Sequence, residues 1–368
     1  TELEPQYLVE LDNMPFTIGN DALGTYNNEY QQLYNIDDLF FFDGAFNEND
    51  YIIFYARGPL TWDYSNGVYS RISNPYSDYS YAFLTADKGE GKRIQLAENI
   101  ADETSVNVNS FLDYKLKEDN LYNLNNMGAA WYGDKYDATT SMSYNFNFPN
   151  IIESKKCNIK VDAASRNTVS QSYFDVRVNG SSVITIRFNK TSDGFGTAGS
   201  SNNIKFNSAT DNITVNLNYV KNASSSSGWL DYIAINAWRE LIFTGNVMLF
   251  RNPECDDVTK NYRYEIRNAS SSVQVWDVTN PVEPKKMNLK YSSNTASFVV
   301  GGAEENEFVA FNGNDFNKVA YVSAVGNQNL HSKYNFDYLI ITHPDFESQA
   351  RRLKELHSTY DDLEIEIV

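Results

Sequence analysis

Asp337-Tyr338-Leu339-Ile340-Ile341-Thr342-His343-Pro344 opens a pattern that the rest of the chain lacks. Tyr338 to Ile341 is a short apolar run of the kind that forms a strand buried on both faces. Downstream, Phe346, Ala350, Leu353 and Leu356 recur at helical spacing with charges between them. Thr342 and Asp345 are candidate N-caps, and Pro344 suits a first helical turn. Leu363, Ile365 and Val368 begin a second strand. Strand, helix, strand is the opening unit of a parallel sheet. One such unit cannot bury itself, so more sheet is expected beyond Val368.

Everything before this tail reads differently. The sequence has 368 residues, enough for two or three domains with sizeable cores. Its 26 Tyr and 22 Phe exclude a disordered linker. Abundant Tyr, Asn, Ser and Thr with few helix-period segments predict strands joined by polar turns. With 30 basic and 48 acidic residues the net charge is −18. Such a surface excludes nucleic acid and direct binding to anionic lipid headgroups, and it favours solubility. No stretch has the apolar length of a transmembrane helix. The start at Thr1, without Met or a signal peptide, is expected of a processed or trimmed chain. Cys157 and Cys255 are the two cysteines; a disulfide and two buried thiols both remain open.

The fold class expected is mainly β: β-sandwich or jelly-roll-like regions, then the first β-α-β unit of an α/β domain. Residues 1–125 form an N-terminal β-rich domain, with strands at Tyr7–Leu11, Leu39–Phe42, Tyr51–Tyr55 and Tyr79–Thr85. Ser110 to Tyr122, polar but carrying Phe111, Tyr114, Leu116 and Leu121, is expected to be a short helix or an arm. Residues 126–245 alternate as a jelly-roll-like sandwich, with strands at Ser143–Phe148, Asn158–Val161, Phe174–Val178, Val183–Phe188, Ile213–Tyr219 and Leu230–Ile235. Asn179-Gly180 is a strong hairpin signal within it. Residues 246–334 form a third β-rich region and connector, with strands at Tyr262–Ile266, Val273–Val278, Lys286–Tyr291, Ala296–Val300 and Glu307–Phe311. Residues 335–368 are the tail unit.

Several stretches carry a resemblance in one order along the chain. They are Asp43-Gly44-Ala45-Phe46 with Asp50 to Tyr55, Asn74-Pro75-Tyr76-Ser77-Asp78, Trp131-Tyr132-Gly133, Gly228-Trp229-Leu230-Asp231-Tyr232-Ile233, Val275 to Pro281, Asn327 to His331, and the tail from Asp337 to His343. Each is weak alone; together they resemble the gingipain-type cysteine peptidases, and within them the sortases of the type IX secretion system of Bacteroidetes. The resemblance implies a caspase-like peptidase domain that starts near residue 335, with its catalytic His and Cys beyond Val368. It also implies export across the inner membrane to the periplasm or the outer-membrane cell surface. The implied partners, through the parent protein, are exported protein cargo and outer-membrane secretion components. A competing reading is a surface module that binds glycan or protein with no enzyme attached.

No catalytic residue is assigned within the chain. His343 ends a strand where α/β active sites lie, but both thiols belong to the β-regions, and a thiol peptidase needs a paired nucleophile and base. His331 and His357 lack zinc-ligand spacing, and no phosphate-binding Gly-rich loop occurs. No cofactor is expected apart from a possible structural calcium. The turn with Asp43, Gly44, Asn47, Asn49 and Asp50 is dense in oxygen ligands but lacks EF-hand spacing. Gly228 to Asn236 resembles the last strand of jelly-roll carbohydrate-binding modules, in which an Asp helps hold calcium. That resemblance makes Asp231 the candidate calcium ligand. The alternative is that Asp231 sits at a strand start and bonds neighbouring backbone.

Overall fold

The computed structural model describes residues 6–12, 31–37, 51–74, 79–84, 94–102, 104–124, 130–191, 195–312, 317–318, 320–325, 330 and 333–368. It divides into two compact units, one of Thr1–Glu10, Tyr81–Gly91 and Tyr321–Val368, the other of Leu11–Ser80 and Lys92–Ala320. Strands dominate, as composition requires, with a single α-helix, Glu347–Tyr360, among the described residues.

Within the larger unit, two antiparallel sheets enclose one core. One sheet runs Ser141–Asn147, Asn212–Lys221, Ser172–Val178, Ser181–Phe188 in spatial order. The other is centred on the 14-residue strand Ser227–Glu240, which pairs with Cys157–Arg166 on one side and with Ser110–Glu118 and Lys135–Tyr136 on the other. Alternation places Phe174, Val176, Ile213, Val215, Leu217, Ile159, Val161, Ile233 and Ile235 inward, all fully buried. The hairpin predicted at Asn179-Gly180 is present. Both residues have positive φ, 47° and 85°, the twist that a two-residue hairpin turn demands. Gly228 is needed for another reason: a Cβ there would stand 2.7 Å from the Phe174 ring. The two sheets could not close over that ring with a larger residue.

Ser110–Glu118 is a strand, not a helix or an arm. Leu112, Tyr114 and Leu116 alternate onto the outer face of the long strand's sheet, beside Tyr232 and Ala234. A hairpin of Leu60–Ser65 and Val68–Ser73 covers that face with Leu60, Trp62 and Tyr69. Lys115 and Lys117, which made the segment look polar, lie over the rings of Phe148 and Tyr144. Lysine ammonium groups are attracted to aromatic faces in this way.

A second sandwich follows. The sheet of Val247–Arg251, Glu307–Asn312 and Val273–Asp277 packs on the sheet of Asn261–Arg267 and Thr295–Gly301 around Phe250, Tyr264, Phe298 and Phe308. Its other face is also buried, with Val309, Trp276 and Phe311 against Tyr55. The single strand expected at Lys286–Tyr291 is two, Lys285–Lys286 and Lys290–Ser292. The first belongs to one sheet and the second to the other, so the chain turns a corner between them at the buried Met287.

In the smaller unit, Tyr338–Ile340 and Ile365–Ile367 pair in parallel, joined by a 3-10 turn, Pro344–Phe346, and the helix Glu347–Tyr360. The β-α-β reading of the tail therefore holds. The strand is not buried on both faces: Tyr338 and Leu339 are exposed, and Ala350 is the one buried residue of the helix. Strands Ala320–Val325, Gln6–Asp12 and Tyr79–Leu84 form a separate three-stranded sheet.

Candidate functional site

The position singled out from sequence, Asp231, lies inside the long strand and not at its start. Leu230 pairs with Ala163 and Tyr232 with Asp162, so Asp231 is an extra residue, a β-bulge. The bulge resets the alternation. Leu230 and Ile233 are three apart yet share one core, which an unbroken strand would forbid. The Asp231 side chain is thereby delivered to the outer face, among charges.

There it meets Arg71 of the covering hairpin, whose Nη2 donates to Oδ1 at 3.4 Å, while Nη1 pairs with Glu118 at 3.2 Å. The Arg71 guanidinium also lies over the Tyr232 ring, 4.1 Å from its centre. Burial pushes the Asp231 carboxyl up to about 6, against the pull of Arg71 and with a further push from Asp162. Asn236, on the same strand, accepts from the Tyr69 amide at 2.7 Å and donates to its carbonyl at 3.0 Å. The Asn236 carboxamide, bonded to the Tyr69 backbone, and an ion clamp together hold the hairpin to the sheet. Asp231 thus takes its counter-charge from a side chain, not from neighbouring backbone. Among the described residues, no group of three or more His, Cys, Asp or Glu is placed to hold a metal ion. The other calcium candidate, from Asp43 to Asp50, lies outside the described residues.

A second charged cluster was not foreseen from the sequence. Arg251 and Glu307 face each other in register across paired strands and bond at 2.9 Å, both almost fully buried. Arg57 completes the group, bonding the second Glu307 oxygen at 3.1 Å. Arg251 stacks 4.4 Å from the centre of Tyr114 and 5.1 Å from that of Tyr69. Burial alone would lower the Arg251 pKa, but Glu307 holds it above its ordinary value. A signal did exist: Arg251 ends the apolar run Val247 to Phe250, and Glu307 begins the apolar run Phe308 to Phe311. Charges of opposite sign at the ends of two buried strands invite pairing.

The thiols sit in separate cores, Cys157 in the first sandwich and Cys255 in the second, both free and buried. Burial pushes the Cys157 thiol up to about 11 and raises Cys255 as well. A thiolate nucleophile needs the opposite shift. His343 is exposed and accepts from the Asp345 amide at 3.3 Å, capping the 3-10 turn. His357 pairs with Asp361 on the helix, and His331 lies outside the described residues. No helix among the described residues is long and apolar enough to cross a membrane.

No family model matches the sequence. No curated protein matches it. Among solved structures it is similar to dimeric latent PorU from Porphyromonas gingivalis, with a TM-score of 0.76 and 18% identity over 99% of this chain and 37% of that one. The chain has a PorU-like fold and spans well under half of that protein's length. A carbohydrate-binding module, CBM36 in complex with calcium and xylotriose, matches 26% of this chain and 71% of its own at 25% identity. The CBM36-1 domain of a xylanase from the hindgut metagenome of Trinervitermes trinervoides matches 34% of this chain and 96% of its own at 19% identity. TM-scores of 0.20 and 0.22 deprive both of weight.

Proposed function

We propose that this chain is the non-catalytic N-terminal region of a cell-surface gingipain-type cysteine peptidase, similar to the sortases that process C-terminal signals of exported proteins. The observation that carries this reading is the likeness of fold to PorU, which runs through 99% of this chain yet takes up only 37% of the other. The β-α-β tail is consistent with this reading, in which it opens the sheet that carries the peptidase site. In this reading the catalytic His and Cys lie beyond Val368. The β-sandwiches brace the peptidase domain and contact outer-membrane secretion components, in the periplasm or at the cell surface.

Chemistry supports the division of labour. Thiol catalysis needs a thiolate within reach of a base and donors for the oxyanion. Cys157 and Cys255 are packing residues whose burial disfavours the thiolate. The test is to assay the 368-residue chain and a version extended by its downstream coding sequence, using peptides with varied P1 residues and a thiol-reactive peptidyl probe. Activity is expected only in the extended protein, and it should survive replacement of Cys157 and Cys255 by Ser. Turnover by the 368-residue chain that vanishes in Cys157→Ser or Cys255→Ser would overturn the proposal. A stop codon directly after Val368 would favour a free-standing binding module.

A further inference from the structure

At one end of the second sandwich, three turns and a strand end surround an open depression of about 450 Å³. Phe243 and Val273 lie beneath it, 5% and 1% exposed, and its wall is polar: Thr244, Asn268, Ser270, Asn294 and Asn312. None of these residues carries a charge, in a chain whose net charge is −18. The volume falls within the range of small-molecule sites, and a few convergent polar groups line it.

The wall is built, not incidental. Gly245, Asn268 and Asn294 all hold positive φ, 74°, 56° and 60°, so the turns that form the lip are fixed in tight conformations. Asn294 Nδ2 donates to Asn268 Oδ1 at 3.3 Å, and Asn268 Nδ2 donates to the Phe243 carbonyl at 3.0 Å. This relay orients both carboxamides before any ligand arrives. It uses one of the two donor hydrogens of each amide. Behind them the Thr244 hydroxyl is held by Arg239 at 3.1 Å, and the Ser270 hydroxyl bonds Ser272 at 2.6 Å. Pre-positioned side chains lower the ordering cost of binding.

We propose that this depression binds a neutral sugar ring. A carboxamide offers a donor and an acceptor side by side, which matches adjacent hydroxyls on a ring. The absence of charge disfavours phosphorylated or acidic ligands, which an acidic protein repels at long range as well. The site shares no residue with the Asp231 clamp and does not depend on the peptidase reading.

The experiment is titration of the 368-residue chain with glucose, galactose, mannose and N-acetylglucosamine, and with Gly-Gly-Gly as a neutral peptide probe, followed by amide chemical shifts. At least one sugar is expected to shift the amides of 243–246, 268–270 and 293–294, with a dissociation constant on the order of millimolar. Asn268→Gly with Asn294→Gly removes both carboxamides where the backbone already suits glycine, and should weaken binding at least tenfold. Ser270→Trp, at an exposed position, should fill the depression and abolish binding, whereas Val258→Trp, exposed elsewhere, should not. Unchanged melting temperatures keep these readouts separate from folding. No sugar response, a response only to Gly-Gly-Gly, or sugar binding untouched by both depression variants would overturn the proposal.

Discussion

Arg251 and Arg71 each bridge strands to carboxylates and each lie over a tyrosine ring, yet they occupy opposite electrostatic settings. The Arg251 and Glu307 side chains are 5% and 3% exposed, whereas those of Arg71 and Asp231 are 16% and 23% exposed. At the deep pair, strand register itself places the two charges opposite each other. At the shallower pair, a bulge and a separate hairpin must both be in place. The difference teaches that pairing written into a ladder can be sealed from water. A clamp assembled from distant pieces keeps an outlet to solvent and, with it, sensitivity to pH.

The largest effect should come from cutting the deep pair. Glu307→Ala leaves Arg251 buried without its partner and is expected to cost about 3–5 kcal/mol in urea unfolding. Replacing both, Glu307→Leu with Arg251→Met, should cost less than Glu307→Ala alone, because the one partner left without Glu307, Arg57, is 35% exposed and not sealed from water. If the double variant is the less stable, the pair is a net stabiliser and the comparison must be redrawn.

Arg71→Ala should cost about 1–2 kcal/mol at pH 8, where it removes charged hydrogen bonds at a site with some access to water. The loss should shrink near pH 5, as Asp231 takes up a proton and no longer needs a cation. A loss independent of pH would mean that Arg71 acts only through Glu118 and its packing on Tyr232.

Asp231→Asn tests the same clamp from the other side. The folded pKa of about 6 lies above the ordinary 3.8. Between those values the folded chain holds a proton that the unfolded chain has released. The stability so gained is full below about pH 4 and is lost as pH rises through about 6. Relative to Asp231→Asn, the parent chain should therefore lose stability across that window, on the order of 2 kcal/mol. Parallel stability curves for the two proteins would contradict the assigned environment.

The smallest effect is expected from calcium. With Arg71 as counter-ion to Asp231, millimolar calcium should leave the melting temperature unchanged. A native-state ligand at 100 times its dissociation constant would instead add roughly 2.7 kcal/mol. A clear rise in melting temperature that disappears in Asp231→Asn would restore Asp231 as a metal ligand.

Much of the strand content was legible because alternation and turn chemistry are local. Phe174 to Val178, Asn179-Gly180 and Val183 to Phe188 carry a hairpin within residues 174–188, in line with two-residue turn rules. Ser110 to Glu118 was misread because its lysines look like a solvated face, although they lie over rings supplied by other strands. Tyr338 to Ile340 is a strand, as its apolar run predicts, and Tyr338 and Leu339 are exposed because a single β-α-β unit cannot bury itself. Asp231 was singled out by its motif, as a candidate calcium ligand. Arg71, its partner 160 residues away, was not, because nothing local to either residue points to the other.

By itself the sequence determined that this chain is mainly β, where most of its strands run, and that a β-α-β unit stands at its tail. Those features follow from side-chain periodicity and from turn residues, which act over a few positions. The tertiary structure alone decided that Asp231 is a bulge facing Arg71, that Arg251 and Glu307 neutralise each other out of water, and that Asn268, Asn294 and Asn312 share one depression. Register, sheet order and the meeting of loops depend on contacts between residues far apart in sequence. A charge or an amide has no fixed role until those contacts set its surroundings.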